Sequence, residues 1–322
     1  MGVLEDARLA AQGGRVVEAA ALLEASGDPD CLAELAFWNL QARGIPRDLA
    51  RARALFGMAA EAGQAQARMI HLSLIANGTG GPSDFASAVR MLEAMDNESA
   101  RSQLQLLTGM ALDERGDPRA VPKGELVSDT PEAHVFRGLF TPAECRFLIE
   151  AAEPAFHRAP VGHVASGGRL MVNHVRTCDV AAFPWVAETP VIHALNRRIA
   201  KAAKTSVRNG EPLQILRYGP GQEFKPHRDC TEDRENQRIL TMLVYLNDAY
   251  TGGETLFLKS GLKVRGETGD GLLFRNAAPD GTPDMDSLHA GLPVLSGEKL
   301  IASRWIRQKP FGPLPSTGND PA

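Results

Sequence analysis

The feature that most constrains this chain is a change of hydrophobic period along it. Through residues 1–110 apolar residues recur at helical spacing, in a composition rich in Ala, Leu, Glu and Arg. From Leu213 onward they fall instead into short β-type runs, LQILRY, RILTMLVYL, TLFL, GLLFR and KLIASRWI, separated by turn-forming stretches such as GPGQ and NDAYTGG. A helix buries a stripe with a period of about 3.6 residues and a strand one of about 2, so one stretch cannot serve both. The expected fold class is α+β, with a helical N-terminal part followed by strands that close into a sandwich or barrel. At 322 residues the chain is long enough for two cores.

The helical part repeats itself. Gly44-x-Pro46-x-Asp48-Leu49-Ala50-x-Ala52 is echoed by Gly80-x-Pro82-x-Asp84-Phe85-Ala86-x-Ala88, a shift of 36 residues, and a fainter copy runs from Val16 to Leu23. Such a period marks stacked helix pairs, each unable to bury its apolar face alone. Gly and Pro mark the loop, the Asp caps the next helix, and the small Ala residues let paired helices approach closely. The stretch resembles Sel1-like repeats, relatives of the tetratricopeptide repeats, which implies a protein-binding surface. The plainer alternative is a helical cap for the domain that follows.

Residues 1–112 form this repeat segment. Residues 113–131, DERGDPRAVPKGELVSDTP, lose periodicity and read as a linker or ordered strap. The next domain spans 132–312, and the apolar-poor tail 313–322 is read as flexible. Thr141 followed by Pro142 and Glu144 predicts a capping box that opens a helix, and a second helix is expected over Pro190–Lys204. The net charge of −4 leaves no basic surplus for nucleic acid, and no apolar run is long enough for a membrane span. The N-terminus carries acids where a secretion signal is basic, so a cytoplasmic location is expected. Cys31, Cys145, Cys178 and Cys230 share no metal-type spacing and are expected to be reduced, mostly buried thiols.

The chemistry is carried by three pieces. His227-Arg-Asp229 follows the strand LQILRY, and residues two apart on a strand share a face, so an imidazole and a carboxylate can converge on one point. By itself this pair is common by chance. His289 follows downstream in Ser287-Leu-His289-Ala-Gly291, and Lys299 stands ten residues after it. Two histidines and one carboxylate on one side of a ferrous ion leave three positions open for a cosubstrate and O2. The lysine is then explained as the partner of a dicarboxylate's far end.

These segments resemble the prolyl 4-hydroxylase family of 2-oxoglutarate dioxygenases over about residues 132–312. The matching pieces are Leu216-Arg-Tyr218-Gly-Pro-Gly221-Gln222 with its following His227-x-Asp229, then Arg238-x2-Thr241-x-Leu243-x-Tyr245, then Ser287-Leu-His289 through Lys299 to Trp305-Ile306-Arg307. Val175-Arg176-Thr177 also fits, although Cys178 stands where the family usually has Ser. The resemblance implies a double-stranded β-helix, a jelly-roll variant, with Fe(II) on His227, Asp229 and His289. It gives Lys299 the 5-carboxylate of 2-oxoglutarate, with Tyr218, Ser303 and Tyr245 beside it, and it places Arg238 and Trp305 around the substrate. Tyr218 and Tyr245 could equally be interior aromatics, Ser303 a plain strand residue, Arg238 a surface charge and Trp305 core.

The implied reaction hydroxylates a C–H bond with O2 and 2-oxoglutarate, giving succinate and CO2, with ascorbate as reductant. Asp229 favours hydroxylation over halogenation, because related halogenases lack that carboxylate. The expected substrate is a prolyl residue of a peptide or protein, recruited by the repeats. A free amino acid or small metabolite is one alternative. A repeat-based adaptor with an oxygen-sensing oxygenase domain is another.

Overall fold

The structure, a computed structural model, describes residues 2–158 and 176–312. Val175 of the quoted Val175-Arg176-Thr177 and the tail 313–322, read as flexible, lie outside the described residues. Within them the chain forms two compact units, one of residues up to Asp117 together with Pro184–Ala194, the other of Pro118–Phe183 and Leu195–Gly312.

The first unit is built from seven helices: α1 (Val3–Gln12), α2 (Val16–Ser26), α3 (Pro29–Gln41), α4 (Leu49–Glu61), α5 (Ala65–Asn77), α6 (Phe85–Glu93) and α7 (Glu98–Gly109). The two copies of the sequence pattern play equivalent parts. Asp48 and Asp84 are both N-caps, accepting from the amides of Arg51 and Ser87 at 2.9 Å, and Ala52 and Ala88 are fully buried. Gly44 and Gly80 both take a left-handed conformation, with φ of 70° and 77°. At Gly80 a Cβ would lie 2.2 Å from the Leu49 carbonyl oxygen, so only glycine lets that loop cross the start of α4. Trp38, Phe56, Leu23, Leu35 and Leu74 centre the core, and Val186, from the segment Pro184–Ala194, packs against it. Asn77 Nδ2 donates to the Trp185 carbonyl at 2.8 Å. No helix of the described residues is long and apolar enough to cross a membrane.

The second unit begins with β1 (Glu125–Asp129) and β2 (Glu132–Phe136), so the stretch read as linker or strap contains the first strand of a sheet. Helix α8 (Pro142–Ala152), strands β3 (His157–Arg158) and β4 (Asp179–Phe183), and helix α9 (Pro190–Ala203) follow. The remaining strands are β5 (Leu213–Tyr218), β6 (Phe224–His227), β7 (Arg238–Tyr245), β8 (Tyr250–Gly252), β9 (Thr255–Phe257), β10 (Lys263–Val264), β11 (Gly271–Arg275), β12 (His289–Gly291), β13 (Val294–Gly297) and β14 (Lys299–Arg307). They form an eight-stranded sheet in the order β1-β2-β11-β7-β14-β5-β4-β3, a four-stranded sheet β10-β9-β12-β6 and the pair β13-β8. Every named pairing is antiparallel.

One apolar cluster joins the sheets, drawing Leu216 from β5, Phe257 from β9, Phe274 from β11 and Ile301 from β14. That is the sandwich the short, turn-separated runs require. The capping box on α8 is present: Thr141 Oγ1 accepts from the Glu144 amide at 3.3 Å, and Glu144 Oε2 accepts from the Thr141 amide at 2.7 Å. The same carboxylate makes a bidentate pair with Arg198 of α9 at 2.6 and 2.9 Å, both residues buried. All four cysteines are free, three of them buried and Cys230 half-buried.

Candidate active site

Residues far apart in sequence meet here because β12 pairs with β6 in a register that sets His289 directly opposite His227. In each histidine Nδ1 lies 2.8 Å from a backbone carbonyl, that of Lys225 for His227 and that of Ser287 for His289. A carbonyl can only accept, so Nδ1 carries the proton and Nε2 keeps its lone pair. Those lone-pair nitrogens face Asp229, with His227 Nε2 3.6 Å from Oδ1 and His289 Nε2 3.9 Å from Oδ2.

Asp229 does not reach this position by strand alternation. β6 ends at His227, and the carboxylate is fixed instead by the Thr241 hydroxyl of β7, which donates to Oδ2 at 2.6 Å. Asn276 Nδ2 in turn donates to Thr241 Oγ1 at 2.7 Å. One ligand atom from each of His227, Asp229 and His289 lies within 4.8 Å of the others. Two imidazole nitrogens and one carboxylate on a common side suit a ferrous ion with open positions. Burial, reinforced by neighbouring His289, pushes the His227 imidazole down to about 4, so it is neutral near pH 7, as a ligand must be. Burial alone would raise Asp229, but the two imidazoles and the Thr241 hydroxyl hold it below the usual carboxylate range.

The three residues line one cavity. Its far wall is β14, whose alternate residues Lys299, Ile301, Ser303 and Trp305 all face into it. Lys299 is paired in register with Tyr218, and its Nζ donates to the Gly253 carbonyl at 2.7 Å. The ammonium lies 5.6 Å from the Tyr218 ring centre and 5.8 Å from that of Tyr245. Burial pushes Lys299 down to about 8. Tyr218 and Ser303 line the cavity.

Tyr245 and Arg238 are not among the described residues that line it. The Tyr245 hydroxyl donates to the Val264 carbonyl at 3.2 Å, so this side chain is an interior aromatic that offers Lys299 only the face of its ring. Arg238 forms a bidentate pair with buried Glu211 at 2.6 and 2.8 Å, and its guanidinium carbon lies 3.7 Å from the Trp305 ring centre. It therefore braces Trp305, which does face the cavity.

Sequence reasoning passed over the supports. Thr241 lay inside a quoted motif, but nothing in the sequence marked Asn276 or Glu211. Phe224, which stacks on His227 with ring centres 3.4 Å apart, was likewise unmarked in the sequence.

The chain is similar to proteins of a known family. Residues 213–307 match the model of the 2OG-Fe(II) oxygenase superfamily. Prolyl 4-hydroxylase 1 of Arabidopsis thaliana is 37% identical over 206 residues, covering 58% of this chain and 72% of that protein. Prolyl 4-hydroxylase 2 of the same plant is 33% identical over 215 residues, covering 59% and 71%. Among solved structures, the viral collagen prolyl hydroxylase of Paramecium bursaria Chlorella virus-1, in complex with 2OG, is 30% identical with a TM-score of 0.45, covering 56% of this chain and 98% of that one. Fold, site and superfamily together define an Fe(II)- and 2-oxoglutarate-dependent dioxygenase. Within that class the chain belongs to the prolyl 4-hydroxylase family.

Proposed function

We propose that the enzyme hydroxylates a prolyl residue in a peptide or protein, with His227, Asp229 and His289 as the iron ligands and Lys299 as the partner of the distal carboxylate of 2-oxoglutarate. The observation that carries this reading is the meeting of those three side chains in the cavity that also holds a buried, desolvated ammonium. The prolyl substrate is supported by the names of the relatives. When bound, ferrous iron with 2-oxoglutarate and O2 supplies the oxidant that turns C–H into C–OH, leaving succinate and CO2.

The protein's own part is positional. The Lys225 and Ser287 carbonyls fix the tautomer of each histidine, and Thr241 with Asn276 fixes the Asp229 carboxylate, so the three donors are held before any metal arrives. Lys299 orients the cosubstrate by its far end, in a setting where burial strengthens the charge pair. Ile301, Leu216 and Leu243 make the cavity wall apolar and limit water around the reacting centre. The ring of Trp305, backed by Arg238, offers a flat apolar surface for a pyrrolidine ring. Ascorbate serves as reductant in this reading, the sandwich takes the double-stranded β-helix form, and the Sel1-like N-terminal helices recruit the protein that carries the proline.

Proline-containing peptides incubated with Fe(II), ascorbate and 2-oxoglutarate should gain 16 Da on proline, in step with succinate release. Succinate released in step with oxidation of free amino acids, while prolyl peptides stay unchanged, would move the substrate to a small metabolite.

A further inference from the structure

We propose that Thr241 is a positioning residue that restricts Asp229 to one ligating oxygen and so keeps three positions of the metal open. This rests on the reading of His227, Asp229 and His289 as the metal site. Both carboxylate oxygens of Asp229 face the imidazoles, Oδ1 at 3.6 Å from His227 Nε2 and Oδ2 at 3.9 Å from His289 Nε2. A carboxylate placed this way is free to chelate an ion through both oxygens. The second oxygen would close a position that the open face of such a site needs. Oδ2, however, accepts from the Thr241 hydroxyl at 2.6 Å, the short range of an O–H donor on an anion. That bond draws charge from Oδ2 and occupies one of its lone pairs, which leaves Oδ1 as the stronger ligand atom.

The residues behind Thr241 fix the direction of this bond. An ionised carboxylate only accepts, so the Thr241 proton points at Asp229 and the Thr241 oxygen accepts from Asn276 Nδ2 at 2.7 Å. The Asn276 amide is thereby set with its nitrogen towards Thr241, and its Oδ1 is buried without a partner among the described residues. Turned the other way, that oxygen would take the Thr241 proton from Asp229. The protein keeps the arrangement that serves the carboxylate, although an orphan acceptor is costly. Asn276 is also held at its backbone. Its amide donates to the Ile239 carbonyl at 2.8 Å, and its carbonyl accepts from the Asp284 amide at 2.8 Å and the Cys230 thiol at 3.0 Å. Thr241 is buried within the eight-stranded sheet, paired with Phe274 of β11 and Trp305 of β14. A hydroxyl carried by a central strand does not follow the carboxylate if it turns, so it holds one oxygen in place.

The test uses the full chain loaded with Mn(II) and needs no turnover. Water-proton relaxation of the Mn(II) complex reads how many waters exchange on the ion, and a titration gives its affinity. Thr241→Val keeps the volume of the side chain and removes the hydroxyl. With a second Asp229 oxygen on the ion, the relaxation enhancement should fall by about one third, one open position of three. Mn(II) affinity should stay at the parent value or tighten, and Thr241→Ser, which restores the hydroxyl, should return the parent relaxation. If Thr241→Val disturbs the melt, Thr241→Ala carries the same expectation. Unchanged relaxation with Mn(II) bound about tenfold to a hundredfold more weakly is the pattern of mere support for a ligand, and it overturns the inference. Unchanged relaxation at unchanged affinity overturns it as well. So does a fall in relaxation that Thr241→Ser fails to reverse, because the hydroxyl is then not the cause. A parent protein that binds no Mn(II), or binds it equally well after His227→Ala, would instead remove the metal-site reading beneath it.

Discussion

At the scale of single residues, the site combines ligands that are cheap to remove with a lysine that is costly to keep. Replacing His227, Asp229 or His289 by Ala should abolish Mn(II) binding and succinate release while circular dichroism stays near the parent, since β7, β11 and β14 form their ladders without these side chains. Near-parent succinate release in any two of the three variants would refute the metal assignment. Lys299 is 4% exposed, and its drop from 10.5 to about 8 corresponds to about 3 kcal/mol against keeping the ammonium in the free enzyme. The folded chain therefore holds this proton less tightly than the unfolded chain does. Stability of the free enzyme should rise between about pH 8 and 10.5, where only the unfolded state remains protonated. With Lys299 as the proposed partner of 2-oxoglutarate, binding should have the opposite dependence, its affinity falling as pH passes 8. Lys299→Ala should weaken that binding about tenfold to a hundredfold, the worth of a charged hydrogen bond. Calorimetric titration across pH 7 to 9.5 would check both trends, and an affinity flat over that range would mean that another group holds the carboxylate.

At the scale of elements, two buried carboxylates each serve two masters. Glu144 closes the capping box of α8 and also pairs with Arg198 of α9, whereas Thr141 contributes to the cap alone. Thr141→Ala should cost about 1 kcal/mol, the usual worth of an N-cap. Glu144→Ala should cost about 3 to 5 kcal/mol, because it leaves the Arg198 guanidinium buried without its anion. Urea unfolding of the two variants measures the difference, and equal losses would show the ion pair to be neutral. Glu211 accepts from Arg238 at 2.6 and 2.8 Å and from Arg307 Nε at 2.7 Å, so it joins the ends of β7 and β14 behind Trp305. Glu211→Gln should lower stability and, by loosening Arg238, raise KM for a prolyl peptide more than KM for 2-oxoglutarate. Equal changes in both constants would argue against a bracing role for Arg238.

At the scale of the whole molecule, the helical unit is not a contiguous piece of chain. Pro184–Ala194 clusters with it, through Val186 in its core, Asn77 on the Trp185 carbonyl and the Phe85 ring 6.4 Å from that of His193. A truncated protein starting at Pro118 keeps this segment and loses the core around Val186, Asn77 and Phe85. It should melt well below the full chain and aggregate on heating, even if the metal site still turns over 2-oxoglutarate slowly; a truncation as heat-stable as the parent would show the segment to be self-sufficient. The sequence by itself determined what depends on local pattern. The switch from helical to strand period, the Asp48, Asp84 and Thr141 caps, and the main strand runs all follow from side chains acting within a few residues of one another. The residue types of the candidate metal site were legible for a related reason, since His227, Asp229, His289 and Lys299 have no common alternative use in that combination and spacing. Tertiary structure alone decided how they meet. The β6–β12 register, not strand alternation, aligned the two histidines, and Thr241 with Asn276 turned Asp229 toward them from beyond the strand end. It also decided that Tyr245 and Arg238 stand outside the cavity lining, because a buried hydroxyl and a half-buried guanidinium each took a partner at hand, the Val264 carbonyl and Glu211. Such partners lie up to dozens of residues away and are fixed only when the sheets close, and no local pattern encodes them.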